Sequence, residues 1–579
     1  MNRAQLLWLL ALAFALVFVA LEPLLTFPIF GSDTGEYYRL TAALASTGHL
    51  PLTSYSGWGS AYQDFPGIFV LSASTSGALG VDPLSALLTI VPLVAALAVF
   101  PLFLLFRRLF AQETIAILGA GLASVAMPRM FSIAHPAPLA LGDFLTVAAL
   151  WMFVEGRRDR RWYLPLGLTA SALIVTHHLS SYFLLVSAIG GLLLLEIVAP
   201  GRWSRRFPMR ELAFGAAFVV GLFVYWFEYA DAFVPIIGSG LHGSTGPALG
   251  LFLAGGLAGF VVIGAVIRWR RHARRPNAAW RMRLPSDRSL VRDFVVLFGG
   301  TLAGSAALVL VPVAISPATR TTSPLILAFF LPLILMIALG AGSRRLVIGD
   351  RPGLFALAWA GVLGLSAFLA IGTQSAVILP SRHAEYLLIP VGLLAAVGIG
   401  RLVARLGDRG GRRAVAAAAT AAVLLLAANA AIAYPPPALF GGFQEGLTDQ
   451  DATIWLWVGV GLPPNATVAT DHRLSSMIFG FDGNPATWDS TKALFIGSNF
   501  SAALDELRSS DAPHPPHTYP VNAVAVDAAM YGGVALDPNT SAYPLSAAAQ
   551  AWFQHPPFVL VYQSGAQAVY WVAGPLPPP

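Results

Sequence analysis

Acidic residues are scarce in this chain: only 11% of its 579 residues carry charge. Asp33, Glu36 and Asp64 nevertheless fall within one stretch near the N-terminus. Positions i and i+3 share a helix face, so Asp33 and Glu36 are a candidate catalytic pair. Such a pair can hold a divalent cation, Mg²⁺ or Mn²⁺ with Asp33 as ligand, or supply a general base. The spacing equally suits a capping box, with Asp33 accepting from the helix start and Glu36 reaching back. A second group is Ser381-Arg382-His383-Ala384-Glu385-Tyr386. A guanidinium grips phosphate through two parallel bonds, and Arg382 equally suits a rim pair with Glu385. His177 and His178 precede Ser180, Ser181 and Tyr182, and His135 precedes Pro136. Each is open to a substrate-phosphate contact or to a polar place at a water interface.

The elements that position these residues are membrane helices. Hydrophobic residues make up 56% of the chain, and a soluble chain carries about 25% charged residues. That excludes an ordinary soluble enzyme and a disordered chain alike. Cysteine is absent, which removes disulfides, thiolate metal sites and cysteine nucleophiles. No P-loop, dinucleotide fingerprint or His-Glu-x-x-His occurs. Apolar runs predict about thirteen crossings of roughly 20 residues each. They lie near 5–30, 83–106, 111–127, 137–155, 162–176, 180–198, 212–230, 247–267, 293–314, 324–341, 353–371, 386–402 and 413–433. The apolar stretch Pro66–Gly80 is short and reads as re-entrant or interfacial. The first segment exceeds a signal-peptide core in length and reads as a retained anchor.

The net charge of +6 is almost wholly arginine. It clusters between spans and argues against a nucleic-acid partner. Arg107–Arg108, Arg157–Arg161, Arg202–Arg210, Arg268–Arg292, Arg344–Arg351 and Arg401–Arg413 fall on one face. By the positive-inside rule that face is cytoplasmic, where anionic lipids are the expected partners. The other face of the membrane region keeps Arg39, Arg129, Arg320 and Arg382. A cytoplasmic N-terminus and an odd number of spans place residues 434–579 outside, after Pro435–Pro437. Two domains follow: a membrane domain over 1–433, whose first outer loop is 31–65, and a small α/β extracytoplasmic domain over 434–579. In the tail, Asp449–Val460 reads as a helix, Ala466–Ala469 and Val521–Val526 as strands, and Phe558–Gln563 with Ala568–Val572 as a hairpin. Asp143 lies within or near a span and, if buried, needs a partner such as Arg129 or a histidine. Asn465, Asn499 and Asn539 begin Asn-x-Ser/Thr triplets, a weak glycosylation signal.

Gly31-Ser32-Asp33-Thr34-Gly35-Glu36-Tyr37-Tyr38-Arg39, followed by Thr47-Gly48-His49-Leu50-Pro51, resembles the first outer loop of GT-C glycosyltransferases. The Arg382 segment is similar to the late outer loop of that class. The layout, many spans and an outer C-terminal domain, is similar to oligosaccharyltransferase catalytic subunits. Leu462–Arg473, ending in Asp471-His472-Arg473, matches the position of their Trp-Trp-Asp-Tyr-Gly segment, although that motif is absent. The resemblance implies an α-helical polytopic GT-C-like protein that moves a sugar from a polyprenyl-phosphate-linked donor to a glycan, lipid or protein acceptor at the outer face. It implies Asp33 as base or metal ligand, with Glu36 or Asp64 assisting. It further implies donor contacts by Arg382, His383, Glu385, His177, His178 and Arg39. A non-catalytic transporter or flippase of amphipathic solutes is the alternative, and predicts polar residues running through mid-span. The discriminating observation is whether Asp33, Arg382 and His177 converge on one cavity.

Overall fold

A computed structural model describes residues 1–51, 55, 57–199, 208–230, 265, 287–310, 325–347, 351–373, 380–440, 442, 444–487, 490–512, 517–536 and 543–574. Among these, eight helices are long and apolar enough to cross a membrane. A ninth arises if a pair bent by 66° counts as one span. The chain is a multi-pass membrane protein. The span expected at 247–267 lies outside the described residues except at position 265, so the described residues do not give a full span count.

Helix α1 (Arg3–Leu21) starts from an Asn2–Gln5 capping box and leaves Trp8, Phe14 and Phe18 exposed, as a lipid-facing surface would. After strand β1 (Ile29–Phe30) comes α2 (Thr34–Thr47), ended by Gly48 in the left-handed region. The short apolar helix α3 (Gly67–Leu79) follows, too short to span and in the place expected for a re-entrant segment. Next are α4 (Pro83–Ala96), α5 (Val99–Phe110) and α6 (Glu113–Val125).

Pro128 has no N–H to give the preceding turn. The chain therefore breaks at Ala126 and restarts as α7 (Met127–Ala134), the bent partner of α6. Then come α8 (Pro138–Gly156), α9 (Tyr163–Ile174), α10 (His178–Leu185), α11 (Gly191–Val198) and α12 (Met209–Glu228). With 12 residues, α9 is shorter than the span expected at 162–176. Helices α13 (Asp287–Leu310), α14 (Leu331–Gly342) and α15 (Arg351–Thr373) precede α16 (Pro380–Ala431), which breaks at Gly411. Its two halves, Arg382–Gly407 and Gly411–Ala431, each qualify as a span.

The tail begins with β2 (Gly446–Leu447), antiparallel to β1. It continues with α17 (Asp449–Gly461), β3 (Val468–Ala469), α18 (His472–Asp482), β4 (Ala523–Val526), β5 (Phe558–Ser564) and β6 (Gln567–Val572). The sheet order is β3-β4-β6-β5, with only the β3–β4 pair parallel. One apolar core lies among the spans. Another belongs to the tail alone. A third joins Ile29 and Leu88 to Ile454, Trp455 and Val458. The tail thus shares buried surface with one end of the membrane region.

Candidate active site where the spans meet the tail

Asp33 precedes α2 with φ −90° and ψ −1°. A capping carboxylate needs extended backbone to turn back onto the helix start. At this helical geometry the Asp33 side chain makes no cap bond, which overturns the capping-box alternative. Instead its Oδ1 accepts from His472 Nε2 at 2.8 Å, and its Oδ2 receives a long 3.4 Å contact from the Tyr37 hydroxyl. Gly31 sets up the approach with φ +113°, where a Cβ would stand 3.0 Å from Thr34 Oγ1 and 3.1 Å from His135 Cδ2.

Asp33 opens onto a cavity of about 390 Å³ whose wall also carries Tyr62, His135, His177, His178, Arg382 and Glu445. The Arg382 Nη1 donates to Ser132 Oγ at 3.0 Å and to Glu385 Oε1 at 2.8 Å. Both bonds use one nitrogen. Among the described contacts, the Nε–Nη2 edge of the fork has no protein acceptor. The Glu385 carboxylate also takes the Ser132 hydroxyl at 2.7 Å.

His177 is the N-cap of α10, and its Nδ1 accepts the Ser180 N–H at 3.2 Å. The proton of the neutral ring must therefore sit on Nε2, a donor on the cavity wall. The ring is buried rather than facing open water. His178 packs between His177 and Phe65.

Also on the wall, His135 Nδ1–H donates to the Phe131 carbonyl at 2.7 Å, leaving Nε2 toward Glu445 Oε2 at 3.5 Å. Burial works against charge on both, and their attraction outweighs it. The His135 pKa rises, and the Glu445 pKa falls to about 2. The Ser32 N–H adds a 2.9 Å bond to the same Glu445 oxygen. A paired imidazole and carboxylate thus face the cavity together.

The other sequence-derived candidates sit apart from the cavity wall. Glu36 is buried and accepts from the Tyr55 hydroxyl, so the two carboxylates of α2 diverge. Arg39 donates to the Phe479 carbonyl at 2.9 Å and lies over the Phe479 ring. His383 Nε2 meets Ser366 Oγ at 2.8 Å. Asp64 gives its backbone carbonyl to Tyr225. Arg129 is buried and pairs with Asp143 and Ser124, as a buried Asp143 requires. Among the described residues no three His, Asp or Glu side chains converge on a metal position.

Sequence reading assigned no role to Glu445 or His472. Glu445 has no local motif. His472 stood in a polar cluster whose partner, Asp33, is 439 residues away.

No known sequence family matches the chain, and no curated protein matches it. Solved structures do. The archaeal oligosaccharyltransferase AglB from Archaeoglobus fulgidus, in complex with an inhibitory peptide and a dolichol-phosphate, superposes with TM-score 0.55 at 15% identity, over 91% of this chain and 70% of that one. Another structure of the A. fulgidus oligosaccharyltransferase gives 0.53 at 14% identity, over 90% and 68%. Apo ArnT from Cupriavidus metallidurans gives 0.50 at 15% identity, over 98% and 99%. These likenesses show the fold.

Proposed function

We propose that this chain, which has the GT-C glycosyltransferase fold, transfers a sugar from a polyprenyl-phosphate-linked donor to an acceptor at the outer face of the membrane. The observation that carries the reading is the convergence of Asp33, Arg382 and His177 on one cavity, at the level where span ends meet the C-terminal domain. The archaeal structure was solved with dolichol-phosphate, which makes a lipid phosphate the donor class to examine first.

The chemistry follows from the groups on the wall. The Arg382 guanidinium offers its Nε–Nη2 edge to the donor phosphate, and the His177 Nε2–H adds a neutral donor. The acceptor oxygen attacks the anomeric carbon as the bond from that carbon to the phosphate oxygen breaks. The electron pair leaves with the polyprenyl phosphate, where the cation stabilises it. The acceptor proton passes to Asp33. One displacement inverts the anomeric configuration. The Asp33–Glu36 pair does not fit a shared Mg²⁺ or Mn²⁺, because its carboxylates diverge, and no step here is routed through an ion.

The test uses purified protein in nanodiscs with a panel of polyprenyl-phosphate sugars and, as acceptors, glycan, lipid and peptide hydroxyl compounds, reading release of polyprenyl phosphate. Wild type is expected to consume at least one donor, and Asp33→Asn to lower turnover about 10²-fold for a lost proton acceptor. Full turnover in the Asp33→Asn variant, or no consumption or binding across the panel, would sink the reading.

A further inference from the structure

We propose that the C-terminal domain completes the reactive site through His472, a positioning residue that holds the Asp33 carboxylate. The inference rests on the transfer reading above and adds a second domain to the machinery.

Asp33 is poorly restrained by its own helix. Its side chain is 33% exposed and has no cap bond. The Tyr37 contact at 3.4 Å is long. His472 supplies the one short bond described, at 2.8 Å to Oδ1, from an imidazole that is 10% exposed. A nitrogen this close to a carboxylate oxygen carries a proton, so Nε2–H donates. With Oδ1 engaged, Oδ2 is the oxygen left to take the proton of the acceptor.

The mount beneath His472 is rigid. Its backbone N–H donates to the Ala535 carbonyl at 2.6 Å. Asp471 caps α18 by accepting the Leu474 N–H at 3.2 Å. Arg473 bonds Asp471 at 3.3 Å and Asp527 at 2.7 Å, with all three side chains shut off from solvent. Charged groups this deeply buried tolerate little displacement once paired. Their arrangement fixes the direction in which the neighbouring imidazole projects. A second anchor is the crossing of α2 on α18, where a Cβ on Gly35 would stand 2.1 Å from the Ser476 carbonyl oxygen. The crossing sets the distance between the helix that carries Asp33 and the helix that carries His472.

The experiment uses the full chain in nanodiscs with the polyprenyl-phosphate sugar that wild type consumes, and compares His472→Ala, His472→Gln and Asp33→Asn. A misplaced reacting group costs up to about 10²-fold in rate. His472→Ala is therefore expected to lower kcat at least about tenfold while the donor KM and the thermal transition hold. His472→Gln is expected to recover most of kcat, because its amide N–H reaches the Nε2 position. Wild-type kcat in His472→Ala overturns the inference and leaves the transfer reading standing. So does an equal loss in the Ala and Gln variants accompanied by a lowered thermal transition, which makes His472 a packing residue. Full turnover in Asp33→Asn overturns the transfer reading itself, and this inference with it.

Discussion

At Glu36 the carboxyl group is enclosed beside Tyr55, Gly57 and Gly59, and burial pushes its pKa from 4.5 up to about 8, against the pull of the Tyr55 hydroxyl. An acid with a raised folded value holds an extra proton in the folded state between its two pKa values. Stability therefore falls as pH rises from about 4.5 to about 8, by up to about 1.4 kcal/mol per unit. Glu36→Gln keeps a neutral hydrogen-bonding group and removes that proton. Its thermal stability in detergent should lack the decline, and parallel pH curves for variant and wild type would contradict the assignment. At Arg382 the pair with Glu385 means that truncation strands a buried carboxylate, so Arg382→Lys is the cleaner probe. It keeps the charge and gives up the fork. Loss of one charge-assisted bond, about 1.5–3 kcal/mol, corresponds to donor binding weaker by roughly 10- to 150-fold. Unchanged affinity by titration in nanodiscs would return Arg382 to the role of a rim residue. Sequence could nominate both residues, since each breaks a local bias. It could not assign them: the spacing of Asp33 and Glu36 admits a shared face, but a helical ψ at Asp33 and the reach of Tyr55 send the carboxylates apart.

Among elements, the α2–α18 crossing governs how the tail seats on the membrane region. Gly35 meets the backbone at Ser476, and a Cβ on Gly480 would stand 2.2 Å from the Gly35 carbonyl oxygen. Gly35→Ala must push the helices apart, at about 1–3 kcal/mol for overpacking. Transfer should fall further than stability does, because separation also stretches the Asp33–His472 bond. Turnover that tracks the thermal transition alone would show that the crossing only holds the domain on. The elements themselves were the most legible part of the sequence. The helix expected at Asp449–Val460 runs to Gly461, and each hairpin strand is one residue longer at its turn end. Capping residues and period-two alternation are local signals, carried by neighbours in the chain. The crossing had no such signal. Gly35 and Gly480 are unremarkable glycines until the fold sets them against each other.

At the scale of the whole molecule, arginine bias predicts which side each loop occupies, and exposure decides where to probe it. Ser510 belongs to the tail but is fully buried, a poor reporter, whereas Val460 is 86% exposed on α17. Arg158 is exposed in the turn after α8. With an impermeant thiol reagent on sealed right-side-out membranes, Val460→Cys should label and Arg158→Cys should not. Labelling at Arg158→Cys would invert the assigned orientation. Fold class was readable from apolar runs because each span is written in consecutive residues. The cavity was readable only in part, because its wall is assembled across the chain: Ser32 meets Glu445 over 413 positions and Asp33 meets His472 over 439. Strand β1 likewise waits for β2. That wiring has a consequence for biosynthesis. A nascent chain that has emerged only through Ala431 already possesses its described spans, yet it lacks Glu445, β2 and His472. The chamber is assembled only once the segment that carries Glu445 and His472 has been made and has folded back onto Ser32 and Asp33. A chain that stops at Ala431 thus has the membrane helices without the residues that finish the cavity wall.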